Sequence, residues 1–215
     1  MNLLKDVKNL QKSDINKVVN KRLSEFSSFK NKSDKEWFSE LCFCLLTANS
    51  KAKTAIAIQK ELGHEGFRYK SWKELAECIR RNKHRFHNNK AKFIVGARKY
   101  SNIKNIIKNI VKSGINSSEQ SEAREFLVKN IKGLGYKEAS HFLRNVGYFD
   151  LAILDRHILN LMVENKLIKE KPKSLTNKTY FEIENKFRVL ADKLEMSLAE
   201  LDLYMWYMKT GEILK

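Results

Sequence analysis

Residues that end helices, form tight turns or cross-link a chain are scarce in this sequence. Its 215 residues include one proline and eight glycines, too few turn formers for a sandwich or barrel of many short strands. The three cysteines, Cys42, Cys44 and Cys78, include no CxxC pair, so we expect reduced thiols. Three cysteines also cannot supply a four-cysteine zinc or iron–sulfur site, and we predict no metal centre.

Long hydrophobic runs are also missing. The longest strongly apolar run, Leu41 to Leu46, is far shorter than the roughly 20 residues that span a bilayer. The first fourteen residues are charged throughout and contain no signal-peptide core. We therefore expect an intracellular, cytoplasmic protein with no signal peptide and no membrane partner.

Basic residues are in large excess. Forty-two Lys and Arg stand against 25 Asp and Glu, giving a formal net charge of +17. Such a charge repels itself in the folded state, so it commonly serves a polyanionic partner, and nucleic acid is the leading candidate. A lysine-rich solvated surface is the alternative interpretation, and charge alone does not exclude an anionic membrane surface.

The spacing of apolar residues is helical nearly everywhere. Residues 37–46 are apolar on almost all sides, which predicts a buried central helix. A helical stripe is formed by Trp72, Leu75, Ala76 and Ile79. No segment shows sustained two-residue alternation, so we predict an all-α protein. The polar, basic stretch 169–178 is expected to separate the middle helices from a C-terminal pair.

One segment, residues 131–158, contains residues arranged for chemistry. Gly133 and Gly135 lie in a short connection between two helical patterns. Glycine allows the positive φ of a tight helix–hairpin–helix turn. Such a turn presents backbone N–H groups and a helix N-terminus, both of which bind phosphate.

The helix predicted after this turn places a lysine beside it. Its buried stripe would be Ala139, Phe142, Leu143 and Val146. The opposite, polar face then presents Lys137, with Ser140 and Arg144 next to it. A solvated lysine is the alternative interpretation.

A carboxylate follows further along the same segment. Asp155 lies 18 residues after Lys137, directly after the apolar residues 151–154, and begins another apolar helix. An aspartate at this position can cap the helix, which is its structural role. The cap also holds the carboxylate in a fixed direction with its charge stabilised.

The sequences GLGYKEAS (133–140) and LAILDRHI (151–158) together resemble the active-site signature of the helix–hairpin–helix DNA glycosylases. Through this resemblance, Lys137 matches the family's nucleophilic lysine and Asp155 its catalytic aspartate. The run LCFCLLTANSKAKTA (41–55) is similar to the family's buried helix and following turn. There, Asn49 matches the residue that fills the gap left by a flipped base.

Four further features indicate which subfamily the chain resembles. The chain lacks the cysteine-rich cluster of the endonuclease III branch. Its compact form, the run HFLRNVG (141–147) and the terminal MWYMKTGEILK (205–215) look most like the type-2 8-oxoguanine DNA glycosylases of archaea and some bacteria. This resemblance implies the helix–hairpin–helix glycosylase fold, with two helical domains flanking a DNA-binding cleft. The central domain would be 30–149, and the other would join 1–29 with 150–215.

The resemblance also implies an activity. It predicts a bifunctional glycosylase/AP lyase that flips 8-oxoguanine out of double-stranded DNA, attacks C1′ with Lys137 and cleaves the strand by β-elimination, as a nucleoid-associated monomer. No cofactor is required, and a monovalent cation at the hairpin rests on family analogy alone. The alternatives are an oxidised pyrimidine as substrate, or a helix–hairpin–helix module that binds DNA without catalysis.

Two groups of binding residues complete the predicted site. The DNA backbone is expected to contact Gly133, Gly135, Lys132 and Arg144. The predicted base pocket consists of Trp206, Phe86 and Lys215, although both aromatic residues could instead belong to the core. Lys215 enters this set because the apolar residues before it could dock the chain end near Trp206 and favour a guanine edge.

Overall fold

The computed structural model describes residues 3–113 and 117–215, and within these ranges it contains twelve α-helices and no strand. The all-α prediction is therefore confirmed. The helices are α1 (Leu3–Gln11), α2 (Ile15–Ser28), α3 (Asp34–Thr47), α4 (Ala52–Tyr69), α5 (Trp72–Arg81), α6 (His87–Ala97), α7 (Ile103–Ile110), α8 (Ser117–Asn130), α9 (Tyr136–Asn145), α10 (Arg156–Glu164), α11 (Asn177–Lys193) and α12 (Leu198–Thr210).

Helix α3 is the predicted central helix, and it is buried from Trp37 to Thr47. It begins at a capping box formed by Ser33 and Glu36, which satisfies backbone N–H groups of the first turn. Because its side chains are apolar on nearly every side, α4, α6, α7 and α9 can pack around it. On α5 the predicted stripe is buried except at Trp72, which lies at the surface.

The buried apolar side chains form two clusters. The first contains side chains between Trp37 and Leu151, and the second joins Leu3 to Phe26 with Ala152 to Met205. The predicted domain boundaries lie close to this partition. The two clusters are in contact, since the guanidinium of Arg144 in α9 lies 4.9 Å from the ring centroid of Phe26 in the second cluster. The division into two domains therefore stays a prediction.

Helix α9 lies where the two clusters meet, and it is buried from Glu138 to Asn145. The prediction of a solvent-facing polar side around Ser140 and Arg144 is therefore wrong. Arg124 of α8 and Asp202 of α12 bind these two side chains and cover that side of the helix. Lys137, in the first turn, keeps 28% of its side chain exposed.

Residues 165–176 connect α10 to α11 without an α-helix, as the polar stretch 169–178 predicts. This connection separates the middle helices from α11 and α12. No helix in the described part of the chain is long and apolar enough to cross a membrane.

Candidate active site

The predicted hairpin occupies residues 131–135, between α8 and α9. Gly133 has φ +96°, and a Cβ atom on it would lie 2.4 Å from Cδ2 of Phe93. Glycine is therefore required there both by the backbone conformation and by the close approach of Phe93. Gly135 has φ −96°, which any residue adopts, so only the first of the two glycines uses its positive-φ freedom.

Lys137 is the second residue of α9, directly after the hairpin. Its ammonium lies 3.0 Å from Oε1 of Glu138. The other oxygen of Glu138 accepts the backbone N–H of Gly135 at 3.3 Å. Glu138 thus ties the lysine to the hairpin, and the amine is held at a helix N-terminus with part of its surface open.

Asp155 is the N-cap of α10, as predicted. Its Oδ1 accepts the backbone N–H groups of His157 and Ile158, both at 2.8 Å. Both bonds fall on one oxygen, and among the described residues no hydrogen bond reaches Oδ2. The cap therefore fixes the carboxylate and leaves one oxygen for another partner.

A pocket brings these groups together. It is partly open to solvent, and its volume including the open mouth is about 590 Å³. The residues that line it come from the end of α3, the start of α4, α9, the segment before α10, α12 and the chain end, and include Lys137, Asp155, His141, Asp202, Trp206 and Lys215. The amine and the carboxylate that the sequence selects thus lie in the wall of one cavity.

The pocket opens into a wider cleft whose lining is strongly basic. Asn49 lines the cleft from the turn after α3, where it is exposed and has φ +60°, a conformation that asparagine tolerates. The cleft is also lined by Lys51, Lys53, Lys83, Arg85 and Arg156. Sequence reasoning did not select these cations individually, because they are not distinguished by spacing from the many other lysines.

The last residues of the chain dock onto α3 and α4. The ammonium of Lys215 donates to Oε2 of Glu40 at 2.8 Å and to Oε1 of Gln59 at 2.5 Å. It also lies 4.3 Å from the ring centroid of Phe43. Leu214 and Lys215 both line the pocket near Trp206. Whether this segment selects guanine stays a prediction.

Arg144 lies at the base of the pocket, buried and paired, and its predicted contact with DNA stays a prediction. Its side chain is 5% exposed and forms an ion pair with Asp202, while Nε donates to Oδ1 of Asn145 at 3.1 Å. Burial raises the pKa of the Asp202 carboxyl. Arg144 opposes this shift and the charge of Asp155 adds to it. Asp202 was not predicted, although an aspartate in the otherwise apolar α12 was a detectable signal.

His141 lies one turn after Lys137 and also lines the pocket. Burial foremost, and then the charges of Arg144 and Lys137, lower its pKa well below the usual value, so the ring is neutral at pH 7. Its Nε2 is buried with no hydrogen-bond partner among the described residues. A buried unpaired nitrogen facing a cavity is suited to a polar ligand.

The two predicted aromatic residues differ in position. Trp206 lines both the pocket and the cleft, with its ring edge-on to His157 at a centroid distance of 5.1 Å. Phe86 is exposed, carries the Arg85 guanidinium 5.3 Å from its ring centroid and is absent from the pocket lining. The structure therefore does not bring Phe86 to the pocket. Lys132 is exposed at the start of the hairpin, and its contact with DNA stays a prediction.

Comparison with known proteins identifies the family. A family model described as 8-oxoguanine DNA glycosylase matches residues 19–196. The chain is 51% identical to an 8-oxoguanine DNA glycosylase/AP lyase of Methanocaldococcus jannaschii over the full length of both, and 42% identical to that of Korarchaeum cryptofilum over 99% of this chain and 98% of the relative.

Solved structures agree with this match. The crystal structure of the M. jannaschii enzyme in complex with a 15mer DNA containing 8-oxoguanine superposes with a TM-score of 0.93 at 51% identity, covering 99% of each chain. The structure of the 8-oxoguanine DNA glycosylase of Thermotoga maritima gives 0.89 at 41% identity, covering 99% of this chain and 98% of that one. This chain belongs to the 8-oxoguanine DNA glycosylase family and has its helix–hairpin–helix fold.

Proposed function

We propose that this chain excises 8-oxoguanine from double-stranded DNA and then cleaves the strand at the resulting abasic site, acting as a monomer. One observation carries the assignment of residues. The Lys137 amine and the Asp155 carboxylate line one pocket directly beside the hairpin. The choice of 8-oxoguanine as substrate is supported by the similarity to 8-oxoguanine DNA glycosylase/AP lyases.

DNA binding precedes chemistry. The backbone N–H groups of the hairpin and the N-terminus of α9 bind a phosphate, and the basic side chains of the cleft neutralise its neighbours. A base stacked in the duplex cannot reach the pocket, so the nucleotide is flipped out at a cost of a few kcal/mol. Asn49, exposed on its turn above the cleft, occupies the space that the base leaves.

Excision begins when positive charge develops on the sugar. The Asp155 carboxylate, fixed by its two backbone bonds, stabilises this charge. The bond between C1′ and the base nitrogen breaks, and its electron pair leaves with the base, which takes up a proton. The Lys137 ammonium supplies that proton, and the lone pair of the amine that remains forms a bond to C1′.

Strand cleavage follows from the covalent adduct. The sugar ring opens as the C1′–O4′ bond breaks, and O4′ takes a proton while nitrogen and C1′ form a protonated Schiff base. Loss of a C2′ proton then expels the 3′ phosphate, and its C3′–O bond breaks with the electron pair. Lys137 thus serves both steps.

Borohydride trapping tests the two roles together. Lys137→Gln is expected to bind lesion DNA and form no trapped adduct, because the amide is not nucleophilic. Asp155→Asn keeps the cap, since asparagine caps about as well as aspartate, so its melting temperature is expected to change little. Its single-turnover excision rate should fall by roughly two orders of magnitude or more.

The same assay on duplexes with different lesions tests the substrate. We expect adducts on 8-oxoguanine and little reaction on oxidised pyrimidines. A normal adduct yield from Lys137→Gln would place the nucleophile elsewhere, and faster trapping on a pyrimidine lesion would change the substrate but not the mechanism.

A further inference from the structure

The segment that leads to Asp155 has no helix or strand of its own, and side chains from α8 and α11 hold its backbone. Within residues 150–154, side chains form hydrogen bonds with the backbone of every second residue, Asp150, Ala152 and Leu154. Asp150 N–H donates to Gln120 at 3.0 Å, and Ala152 N–H donates to Oε2 of Glu184 at 2.8 Å. The hydroxyl of Tyr180 donates to Ala152 O at 2.7 Å and accepts Leu154 N–H at 3.4 Å.

The same buried group also holds the helix that carries Lys137. Arg124 donates two hydrogen bonds to Glu184, at 2.6 and 2.8 Å, and a third to the Ser140 hydroxyl at 3.2 Å. The Tyr180 hydroxyl lies 3.5 Å from that of Ser140. Ser140 follows Lys137 by three residues on α9. One polar cluster, consisting of Arg124, Glu184 and Tyr180, therefore binds both the lysine helix and the aspartate segment.

This cluster is costly to bury. Arg124 is fully buried and Glu184 is 4% exposed, and apolar side chains in place of such a pair are often equally stabilising or better. Directional bonds offer what apolar packing does not, because they fix one arrangement of the elements that they join. Catalytic groups need placement within about 0.5 Å, and such bonds supply it.

We propose that Arg124, Glu184 and Tyr180 are positioning residues that set the location of Asp155 relative to Lys137. The inference rests on the proposed function, since it gives the cluster a role only through those two groups. None of the three residues lines the pocket or the cleft. They act on the reaction through the backbone of residues 152–154 and through Ser140.

Tyr180→Phe is the sharpest test, because it removes one hydroxyl and keeps the ring in the core. At saturating 8-oxoguanine DNA, we expect single-turnover excision to fall about 10- to 100-fold with unchanged DNA affinity, the loss that a misplacement of about 1 Å produces. In an Asp155→Asn background, Tyr180→Phe should cause no further loss, because no carboxylate remains to be positioned. Losses that multiply would overturn the proposal.

Tyr204→Phe is the matched control. It also removes a hydroxyl from the second cluster, one that donates to Asn16 of α2 at 2.9 Å. Its excision rate should stay within about twofold of the parent, because this hydroxyl bonds to α2 and not to the segment that leads to Asp155. If Tyr180→Phe behaves like this control while Asp155→Asn is inactive, the positioning role is wrong and the proposed function stands.

A second variant tests the cluster through its charged pair, and its excision rate is measured well below its melting temperature because the change also lowers stability. Glu184→Gln keeps the size of the side chain and one carbonyl oxygen for Ala152 N–H, but removes the charge that faces Arg124. The same slow excision and the same lack of additivity with Asp155→Asn are expected. If Asp155→Asn itself retains full excision, the assignment of the catalytic pair fails, whatever the cluster does.

Discussion

Two cations on α9 have opposite surroundings. Lys137 keeps 28% of its side chain exposed at the pocket, whereas Arg144, two turns later, is 5% exposed and paired with Asp202. Removing one partner of a buried pair leaves the other as an uncompensated charge, so Arg144 is tied to stability. Lys137 is partly exposed and lines the pocket, so we expect its replacement to affect the reaction more than the stability.

Replacement of these cations should separate the two effects. Arg144→Met is expected to lower the free energy of unfolding by about 3–5 kcal/mol, because Asp202 stays buried without its partner. Lys137→Gln should change it by less than about 1 kcal/mol. Urea denaturation measures both. Adding Asp202→Leu to Arg144→Met should recover part of the loss, and a double variant less stable than the single one would contradict this explanation.

The surroundings of the α9 side chains could not be predicted from the sequence. Helical periodicity placed Lys137, Ser140 and Arg144 on one side of α9, but it contains no information on which elements cover that side. Asp202 and Arg124 lie 58 and 20 residues from Arg144 in sequence, and both are brought there only by the tertiary fold. Lys137 and Asp155 could be predicted because their signature is local, whereas the ion pairs that cover the rest of α9 join residues far apart in the sequence.

At the scale of elements, the hairpin depends on two glycines to different degrees. A Cβ atom on Gly133 would lie 2.4 Å from Phe93 in a backbone region with φ +96°, whereas one on Gly135 would lie 3.2 Å from Oε2 of Glu138. The Phe93 ring belongs to the packed α6, but the Glu138 carboxylate is the end of a flexible side chain. The two positions therefore tolerate a methyl group differently.

Gly133→Ala and Gly135→Ala form a matched pair. The first should destabilise the protein by about 2–5 kcal/mol, combining backbone strain with overpacking. It should also weaken binding to undamaged and lesion duplexes alike, since we propose that the hairpin binds phosphate and not a base. The second should cost less than about 1 kcal/mol. Thermal melts and duplex titrations measure the pair, and equal effects would argue against this geometry.

Elements were predicted where the pattern is local and continuous. Helix α3 followed from its apolar run and α5 from its stripe. The position of Trp72 at the surface did not, since a first-turn residue can lie beyond the edge of the packed face. For the hairpin, sequence indicated that glycine is needed but not which glycine takes the positive φ, because that depends on Phe93 from another helix.

At the scale of the whole molecule, the positive charge is partly concentrated in the cleft. Lys51 lines the cleft, whereas Lys193 lies beside a groove formed with α1, away from the pocket. Each lysine that neutralises a phosphate adds about 0.9 to the slope of the logarithm of affinity against the logarithm of salt. The net charge of +17 alone does not distinguish lysines in the cleft from lysines elsewhere on the surface.

Lys51→Gln should therefore reduce the salt slope of binding to undamaged DNA by about 0.9, and Lys193→Gln should leave it unchanged. Fluorescence anisotropy across a salt series measures both slopes. The two variants have the same net charge, so equal slopes would mean that the charge acts as a diffuse field and not through contacts in the cleft.

The second cluster joins segments that are far apart in the sequence. The hydroxyl of Tyr204 in α12 bonds to Asn16 in α2 across 188 residues, and α1 packs on α12 as well. A chain made from its N-terminus can complete the first cluster as soon as residue 151 is available, while α1 and α2 wait for their partners until α12 has emerged. The pocket, which needs both α9 and α12, is then the last part to assemble. Incomplete chains that lack α12 still contain the hairpin and Lys137, so we expect DNA affinity to arise before excision activity during synthesis.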